Sequence, residues 1–291
     1  MCEGDPVSSV ALQDRKVVLI TGCSSGIGLS AALRFARNGY RVFATMRDPA
    51  RGGDLLARAK AEGLTLAILA LDVCSDESVA TAVAAMFAET SGRVDVLVNN
   101  AGFIVMGPIE TTSPDEMRAQ LETNIIGVLR VSRAVLPAMR ARKDGAIVNI
   151  SSVSGRVVLP VAGPYHVSKW GLEAMTEALR YEVSRFGIRV TLVEPGPFDT
   201  PIHSKEWQTA DSQNQASPYR NLVEGYHATS GAMRRGNPED VVTTIWKAAT
   251  KRNPKLRWPV GFFAKLGCFI RPHAPDFMWE WYVRRTFGKW G

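Results

Sequence analysis

Residues 16–38 restrict the fold more than any other stretch of the chain. Lys16 to Thr21 (KVVLIT) is a short apolar run, rich in β-branched side chains, that reads as a buried strand. Gly22-Cys23-Ser24-Ser25-Gly26-Ile27-Gly28 follows, and Leu29 to Asn38 continues as an amphipathic helix with Gly39 as its stop. The order is strand, glycine-rich turn, helix. A helix N-terminus offers free amides and the positive end of a dipole, which suit a pyrophosphate. Glycine is required where a side chain would block the approach of the backbone. Gly26-x-Gly28-x-x-Ala31 fits the dinucleotide fingerprint, with alanine in the last place. The candidate phosphate-turn residues are therefore Gly22, Ser24, Ser25, Gly26, Ile27 and Gly28. In isolation such a turn is only a turn; the flanking strand and helix give it meaning.

The next strand, Arg41 to Thr45 (RVFAT), ends in Met46-Arg47-Asp48-Pro49. An acid at this strand end would take a ribose 2′-hydroxyl and select NAD. Met46 stands in that place and Arg47 follows. An arginine suits a 2′-phosphate through charge-assisted hydrogen bonds. Asp48 is a rival at about the right distance, but Asp before Pro reads more simply as a helix N-cap. Arg47 is also compatible with a merely solvated charge. NADP(H) is the cofactor expected, with NAD(H) as the alternative.

A second constellation lies at Ser152 to Lys169 (SVSGRVVLPVAGPYHVSK). Ile147 to Ser151 reads as a buried strand, Gly163-Pro164 punctuates, and a helix follows. Tyr165 and Lys169 are four apart and share a helix face. Ser152 sits at the carboxyl end of the strand, where open α/β sheets bind ligands. A phenol with a pKa of ~10 is a poor acid–base catalyst at neutral pH. An ammonium ~4 Å away, at an effective dielectric of ~20, would favour the phenolate by ~4 kcal/mol, or ~3 pKa units. Tyr-x-x-x-Lys by itself is usually a helix surface pair. Beside a dinucleotide turn it suits hydride transfer to a carbonyl.

Thr21-Gly22-x-x-x-Gly26-x-Gly28, Asp72, Asn99-Asn100-Ala101-Gly102, Asn124, Ser152, Tyr165-x-x-x-Lys169 and Pro195-Gly196 resemble, in order and spacing, the single-domain branch of the short-chain dehydrogenase/reductases. The resemblance covers roughly residues 15–200, with no departure at a catalytic position. It implies an α/β fold with a doubly wound, mostly parallel seven-stranded Rossmann sheet and helices on both faces, in one domain over 1–291. It implies that Tyr165 is the general acid or base, and that Lys169 lowers its pKa and holds the nicotinamide ribose. Ser152 would hydrogen-bond the substrate oxygen, and Asn124 would hold a water that relays protons from Lys169. Asp72, next to Val73, would meet the adenine, and Asn100, Ala101 and Gly102 would border the cofactor. Pro195, Gly196 and Phe198 would lie beside it, with Thr200 at the carboxamide. Asn100 and Asp72 are also ordinary turn formers, and Thr200 an ordinary cap.

TGCSSGIG, the strand end TxRDP and RVDVLVNNAG look similar to the branch that contains 17β-hydroxysteroid and retinol dehydrogenases. Its members act on hydrophobic alcohols and ketones, and there the residues matching Ser25 and Arg47 favour NADP. The rivals are a 3-oxoacyl reductase acting on a carrier- or CoA-bound thioester and a non-catalytic dinucleotide sensor. The complete Ser152, Tyr165 and Lys169 set argues against the sensor.

The remaining segments carry weaker signals. Residues 1–14 form a polar leader with no signal-peptide core, and no run of 18 apolar residues predicts a membrane span. Cys2, Cys23, Cys74 and Cys268 are scattered without metal-ligand spacing, so no metal is expected and a reduced, cytoplasmic setting is. Cys23 lies in the phosphate turn, where a thiol reagent would inhibit unless the side chain is packed. Residues 201–236, with Trp207, Tyr219 and Tyr226, match the family's substrate lid in position. Val157, Val158, Leu159, Val161 and Phe103 would give the pocket an apolar wall, and hence a hydrophobic substrate. From Lys247 to Gly291 there are ten Lys or Arg against two acids, a balance of +8 in a chain of net +7. Four of the seven tryptophans also fall there. This basic aromatic extension, 254–291, suits an anionic membrane surface, an anionic substrate, or a solvated face with Trp packed on the last strand, Leu256 to Val260. No recognition motif for nucleic acid accompanies the charge. Helices at 115–142 and 165–186 resemble the family's dimerising pair, which implies a homodimer or homotetramer.

Overall fold

A computed structural model describes residues 14–201 and 206–287. The leader up to residue 13, Cys2, lid residues 202–205 and Trp290 lie outside them. The chain runs β1 (Val17–Ile20), α1 (Gly26–Arg37), β2 (Arg41–Met46), α2 (Gly53–Ala61), β3 (Ala67–Ala70), α3 (Asp76–Thr90), β4 (Val96–Asn99), β5 (Val105–Met106) and α4 (Pro114–Leu121). Then come α5 (Gly127–Arg142), β6 (Gly145–Ile150), α6 (Gly163–Ser184), β7 (Ile188–Pro195), β8 (Trp207–Gln208), α7 (Arg220–Ala232), α8 (Pro238–Thr250), β9 (Arg257–Val260), α9 (Phe262–Ile270) and α10 (Asp276–Phe287).

Seven strands form one sheet in the order β3-β2-β1-β4-β6-β7-β9, and every neighbouring pair is parallel. β1 shows why. All four of its residues are buried, and they alternate between two separate cores. Val18 and Ile20 pack with Leu33 and Phe35 of α1 and Ile245 of α8 on one face. Val17 and Leu19 pack with Val83 of α3 and Val135 of α5 on the other. A strand covered on both sides must be apolar throughout, and its helices must alternate between the faces. Local chemistry fixes the helix ends. Ser75 caps α3 through Ser78 N at 3.1 Å, and Ser113 and Glu116 form a reciprocal capping box on α4.

The strand order reverses between β1 and β4. Consecutive segments leave that point in opposite directions, so a crevice opens at the carboxyl ends of the two strands. β5 and β8 make a separate two-residue parallel pair that ties the segment expected as a substrate lid to the chain after β4. Between α4 and α5 the helix widens into a π turn over Glu122–Ile126. The expected long helix at 115–142 is thus two helices joined by that turn, which carries Asn124.

Candidate active site

The glycine turn is bolted to β4 by hydrogen bonds. The amide of Asn100 donates to Thr21 O at 2.9 Å and to Gly22 O at 3.1 Å. The Thr21 hydroxyl accepts from the backbone N–H of both Asn100 and Ala101 at 3.0 Å. Gly22 has φ +74°, and a Cβ there would lie 2.8 Å from Ala101 Cα. A Cβ on Gly28 would lie 2.4 Å from Gly22 O and 2.5 Å from Asn100 Nδ2. This is a cradle in which turn, helix start and β4 touch backbone to backbone, as the fingerprint requires.

A cleft of about 690 Å³ opens above the cradle. Gly22, Ser24, Ser25, Gly26, Ile27, Arg47, Asp72, Val73, Asn100, Ala101, Gly102 and Thr200 all line it. Asp48 does cap the turn after β2, accepting from Ala50 N at 3.0 Å. That turn swings Arg51 into the cleft wall beside Arg47. Arg51 was not legible in sequence, because its place depends on a short 3₁₀ turn. Asp72 accepts from Cys74 N at 3.0 Å, so one of its oxygens makes a turn.

Phe198, expected beside the cofactor, turns its side chain into the core. Its ring is buried in the core against Gly236, where a Cβ would come within 2.4 Å of it. The chain there pairs backbone to backbone with residue 236, and the aromatic side chain serves that joint. Pro195 and Gly196 are also occupied by the fold: Pro195 O accepts from Ser152 Oγ at 3.5 Å, and Gly196 N donates to Val260 O at 3.0 Å. Cys23 is wholly buried, donates to Ile20 O, and burial pushes its pKa up to about 12. The packed reading of Cys23 therefore holds over the reactive one.

Ser152, Tyr165 and Lys169 meet at the carboxyl end of β6. The Lys169 ammonium donates to Ile150 O at 2.8 Å and lies 5.6 Å from the Tyr165 ring centroid. Burial pulls its pKa down to about 8, against the pull of Glu173. Tyr165 differs from the sequence expectation. Its pKa is raised to about 12 by burial of the hydroxyl, while a hydrogen bond with Ser152 acts the other way and Glu206 adds to the rise. Lys169 donates to a carbonyl, and burial of the phenol raises its pKa where the lysine was expected to lower it. In this state the Tyr165 hydroxyl keeps its proton throughout the neutral range.

Asn124, expected to help hold a relay water, has a side chain engaged within the fold. Its Nδ2 donates to Phe103 O and to Ser168 Oγ, both at 3.1 Å, and its Oδ1 accepts from Phe103 N at 3.2 Å. The side chain is a strut between the π turn, the cleft wall and α6. Ser168, missed in the sequence, completes that strut by donating to Tyr165 O at 2.8 Å. His166 was missed too. Its Nδ1–H donates to Ser154 O at 2.9 Å, and Nε2 accepts from Leu159 N at 3.1 Å. Burial pulls its pKa down, so it stays neutral and pins the 154–159 loop.

The expected apolar wall divides. Val161, at φ +70°, joins Ile104, Met106, Val223 and Tyr226 around Tyr165. Val157 is buried beneath α9, Leu159 is half-buried and Val158 is exposed. Phe103 stacks on Trp207 at the cleft, with ring centroids 6.2 Å apart.

Behind Ser152 lies an ionic cluster that links distant segments. Arg257 reaches Glu173 at 2.8 Å and Glu177 at 2.6 Å, and Arg156 reaches Glu194 at 3.3 Å. Burial and the neighbouring Glu173 raise Glu194 to about 7, while Arg156 and Arg257 oppose the rise. A carboxyl whose folded pKa lies above its unfolded value of 4.5 adds stability in full only below pH 4.5. That stability is lost as pH rises to about 7, by about 3 kcal/mol at the limit. Melting curves of the parent and Glu194→Gln should therefore show the parent losing ground to the variant between those pH values. A flat difference would contradict the buried, proton-holding Glu194.

Comparison with known proteins agrees with this geometry. Residues 16–211 match the profile of the family described as short chain dehydrogenase. Retinol dehydrogenase 8 of Bos taurus is 39% identical over 258 residues, covering 83% of this chain and 80% of that protein. Estradiol 17-beta-dehydrogenase 1 of Rattus norvegicus is 38% identical over 258 residues, covering 84% and 73%. A crystal structure of a short-chain dehydrogenase from Streptomyces avermitilis superposes with a TM-score of 0.76 at 33% identity, covering 94% of this chain and 98% of that one. A metagenomic short-chain oxidoreductase in complex with NADP superposes with a TM-score of 0.66 at 28% identity, covering 83% and 95%.

Proposed function

This chain belongs to the short-chain dehydrogenase family, and from that premise we propose that it is an NADP(H)-preferring enzyme that interconverts an alcohol and a ketone or aldehyde on a hydrophobic, steroid-, retinoid- or lipid-like substrate. The convergence of Ser152, Tyr165 and Lys169 beside a glycine-cradled cleft carries the reading.

A nicotinamide dinucleotide bound in the cleft supplies the hydride. The chain's own groups do the rest. Gly22, Gly26 and Gly28 let the backbone approach the phosphates, and the start of α1 faces them. Arg47 and Arg51 hold the 2′-phosphate. Tyr165, protonated at neutral pH, gives its proton to the carbonyl oxygen as negative charge develops there. The Ser152 hydroxyl binds the same oxygen and orients it. Lys169, beside the Tyr165 ring and with its pKa brought down to about 8 by burial, would return a proton toward Tyr165. Asn124 and Ser168 keep the π turn and α6 in register around them.

The substrate reading rests on the apolar surroundings of Tyr165: Ile104, Met106, Val161 and Val223, with Tyr226 from the lid helix α7. The named relatives act on retinol and on estradiol, both large and apolar. Leu129 on α5, with Val167 and Trp170 on α6, is exposed, and these side chains offer a face for a homodimer.

The test pairs cofactor with substrate. The parent should oxidise NADPH with steroid, retinoid or long-chain aliphatic carbonyls and use NADH poorly. Arg47→Ala/Arg51→Ala should weaken NADPH binding by about 100-fold and NADH binding only slightly, since two charge-assisted hydrogen bonds are lost. An equal loss for both cofactors would remove these arginines from the 2′-phosphate.

A further inference from the structure

Apolar side chains left in solvent are unevenly spread. Among the described residues, nine of the eighteen large exposed ones lie between Phe262 and Tyr282. They form stripes. Phe262, Leu266 and Phe269 follow one face of α9, and Phe277 and Trp281 follow one face of α10. Phe262, Phe269 and Phe277 are each more than 70% exposed, and Trp281 is 63% exposed.

The stripes are not loose ends. Ala264 of α9 is fully buried against Gly196, and Gly267 sits on Val157. Phe287 of α10 is buried, with its ring stacked on Tyr226 of α7. Thr229 donates to Thr286 O at 3.1 Å. Each helix is thus docked by one face and shows the opposite, aromatic face outward. Cations border that face: Lys265 on α9, and Arg284 and Arg285 on α10. The Arg285 guanidinium lies over the Trp281 ring at 5.6 Å.

We propose that the α9–α10 face docks on an anionic lipid bilayer, lying in the interface plane with Phe262, Phe269, Phe277 and Trp281 inserted and Lys265 and Arg285 on the headgroups. The helices have 9 and 12 residues, and no described helix is long and apolar enough to span a membrane. Short helices with aromatic faces and basic borders suit the headgroup–acyl boundary instead. Charge complementarity favours this occupant over a second copy, because two identical basic faces repel. The exposed side chains on α5 and α6 give a second copy another place to bind. The location adds a consequence. α9 stands on the loop after Ser152 and α10 on the lid helix, so docking would turn the apolar surroundings of Tyr165 toward the lipid.

The full chain should be sedimented with sucrose-loaded vesicles of equal parts phosphatidylglycerol and phosphatidylcholine, and with phosphatidylcholine alone. Strong retention on the anionic vesicles, weakened by salt, is expected. Phe262→Ser/Phe269→Ser/Phe277→Ser/Trp281→Ser should lose at least about tenfold in partitioning. Lys265→Glu/Arg285→Glu changes no buried residue, so it decides the matter if the first variant misfolds. It should lose about thirtyfold on the anionic vesicles, since two cations are removed from the surface. Absence of binding to anionic vesicles, or equal binding by folded variants, would overturn the proposal. So would a parent dimer that ignores vesicles and falls to monomers in the serine variant, which would make the face a contact between copies.

Discussion

Tyr165→Phe is expected to lower turnover by about 10²–10⁴-fold while leaving the fold and cofactor binding intact. The phenol hydroxyl is held by Ser152 among apolar neighbours, and burial keeps it protonated to about pH 12. Phenylalanine fills the same space and removes only the proton and the hydrogen bond. The ring contact with Lys169 at 5.6 Å and the bond from Lys169 to Ile150 O do not involve the hydroxyl. Affinity for NADPH, measured by quenching of protein fluorescence, should therefore stay within a few-fold of the parent. Unchanged turnover would remove Tyr165 from proton transfer. Loss of cofactor affinity equal to the loss of rate would make it a binding residue instead.

Gly28→Val should abolish cofactor binding, for a different reason. A Cβ at this position would stand 2.4 Å from Gly22 O and 2.5 Å from Asn100 Nδ2, well inside contact distance. Neither neighbour is free to yield. The Asn100 amide holds both Thr21 O and Gly22 O, and Gly22 is held from behind by Ala101. The first turn of α1 must move off β4, and the amides that face the phosphates move with it. Overpacking of this kind costs about 1–3 kcal/mol of stability. The folded variant should bind NADPH at least about 100-fold more weakly in a calorimetric titration. Parent-like affinity would show that the turn does not carry the phosphates.

The framework was legible because it is written in short-range patterns. Strand burial gives continuous apolar runs, and each strand end fell within two residues of its expected place in β1, β2 and β6. Gly39 stopped α1 with φ +78°, as a glycine after a helix does. The site was legible where one motif holds it, as in the glycine turn. It was not legible where contacts join remote segments. The Asn124 side chain meets Phe103 and Ser168, which only the fold brings near. Arg257 and Glu173 are 84 residues apart, and no local pattern announces their pairing. The i, i+4 spacing did set Lys169 near Tyr165. It could not reveal that Ile150 O takes the ammonium's hydrogen bond or that burial outweighs the Ser152 hydrogen bond in setting the phenol's pKa. In the C-terminal extension the sequence showed charge and tryptophan together. Only the docking of Ala264 and Phe287 shows which side of α9 and α10 faces out, and Trp258 alone of the described tryptophans there packs against the sheet core.

The most direct measurement follows an isotope from cofactor to product. The enzyme is mixed with NADPH carrying deuterium at both C4 positions of the nicotinamide and with apolar ketones and aldehydes, and the alcohol formed is examined by mass spectrometry. Deuterium should appear on the carbinol carbon with the parent enzyme, and Tyr165→Phe should form the alcohol at least about 100-fold more slowly. Alcohol without deuterium, or tightly bound NADPH that is oxidised by none of these carbonyls, would contradict an NADP(H)-dependent oxidoreductase of hydrophobic substrates.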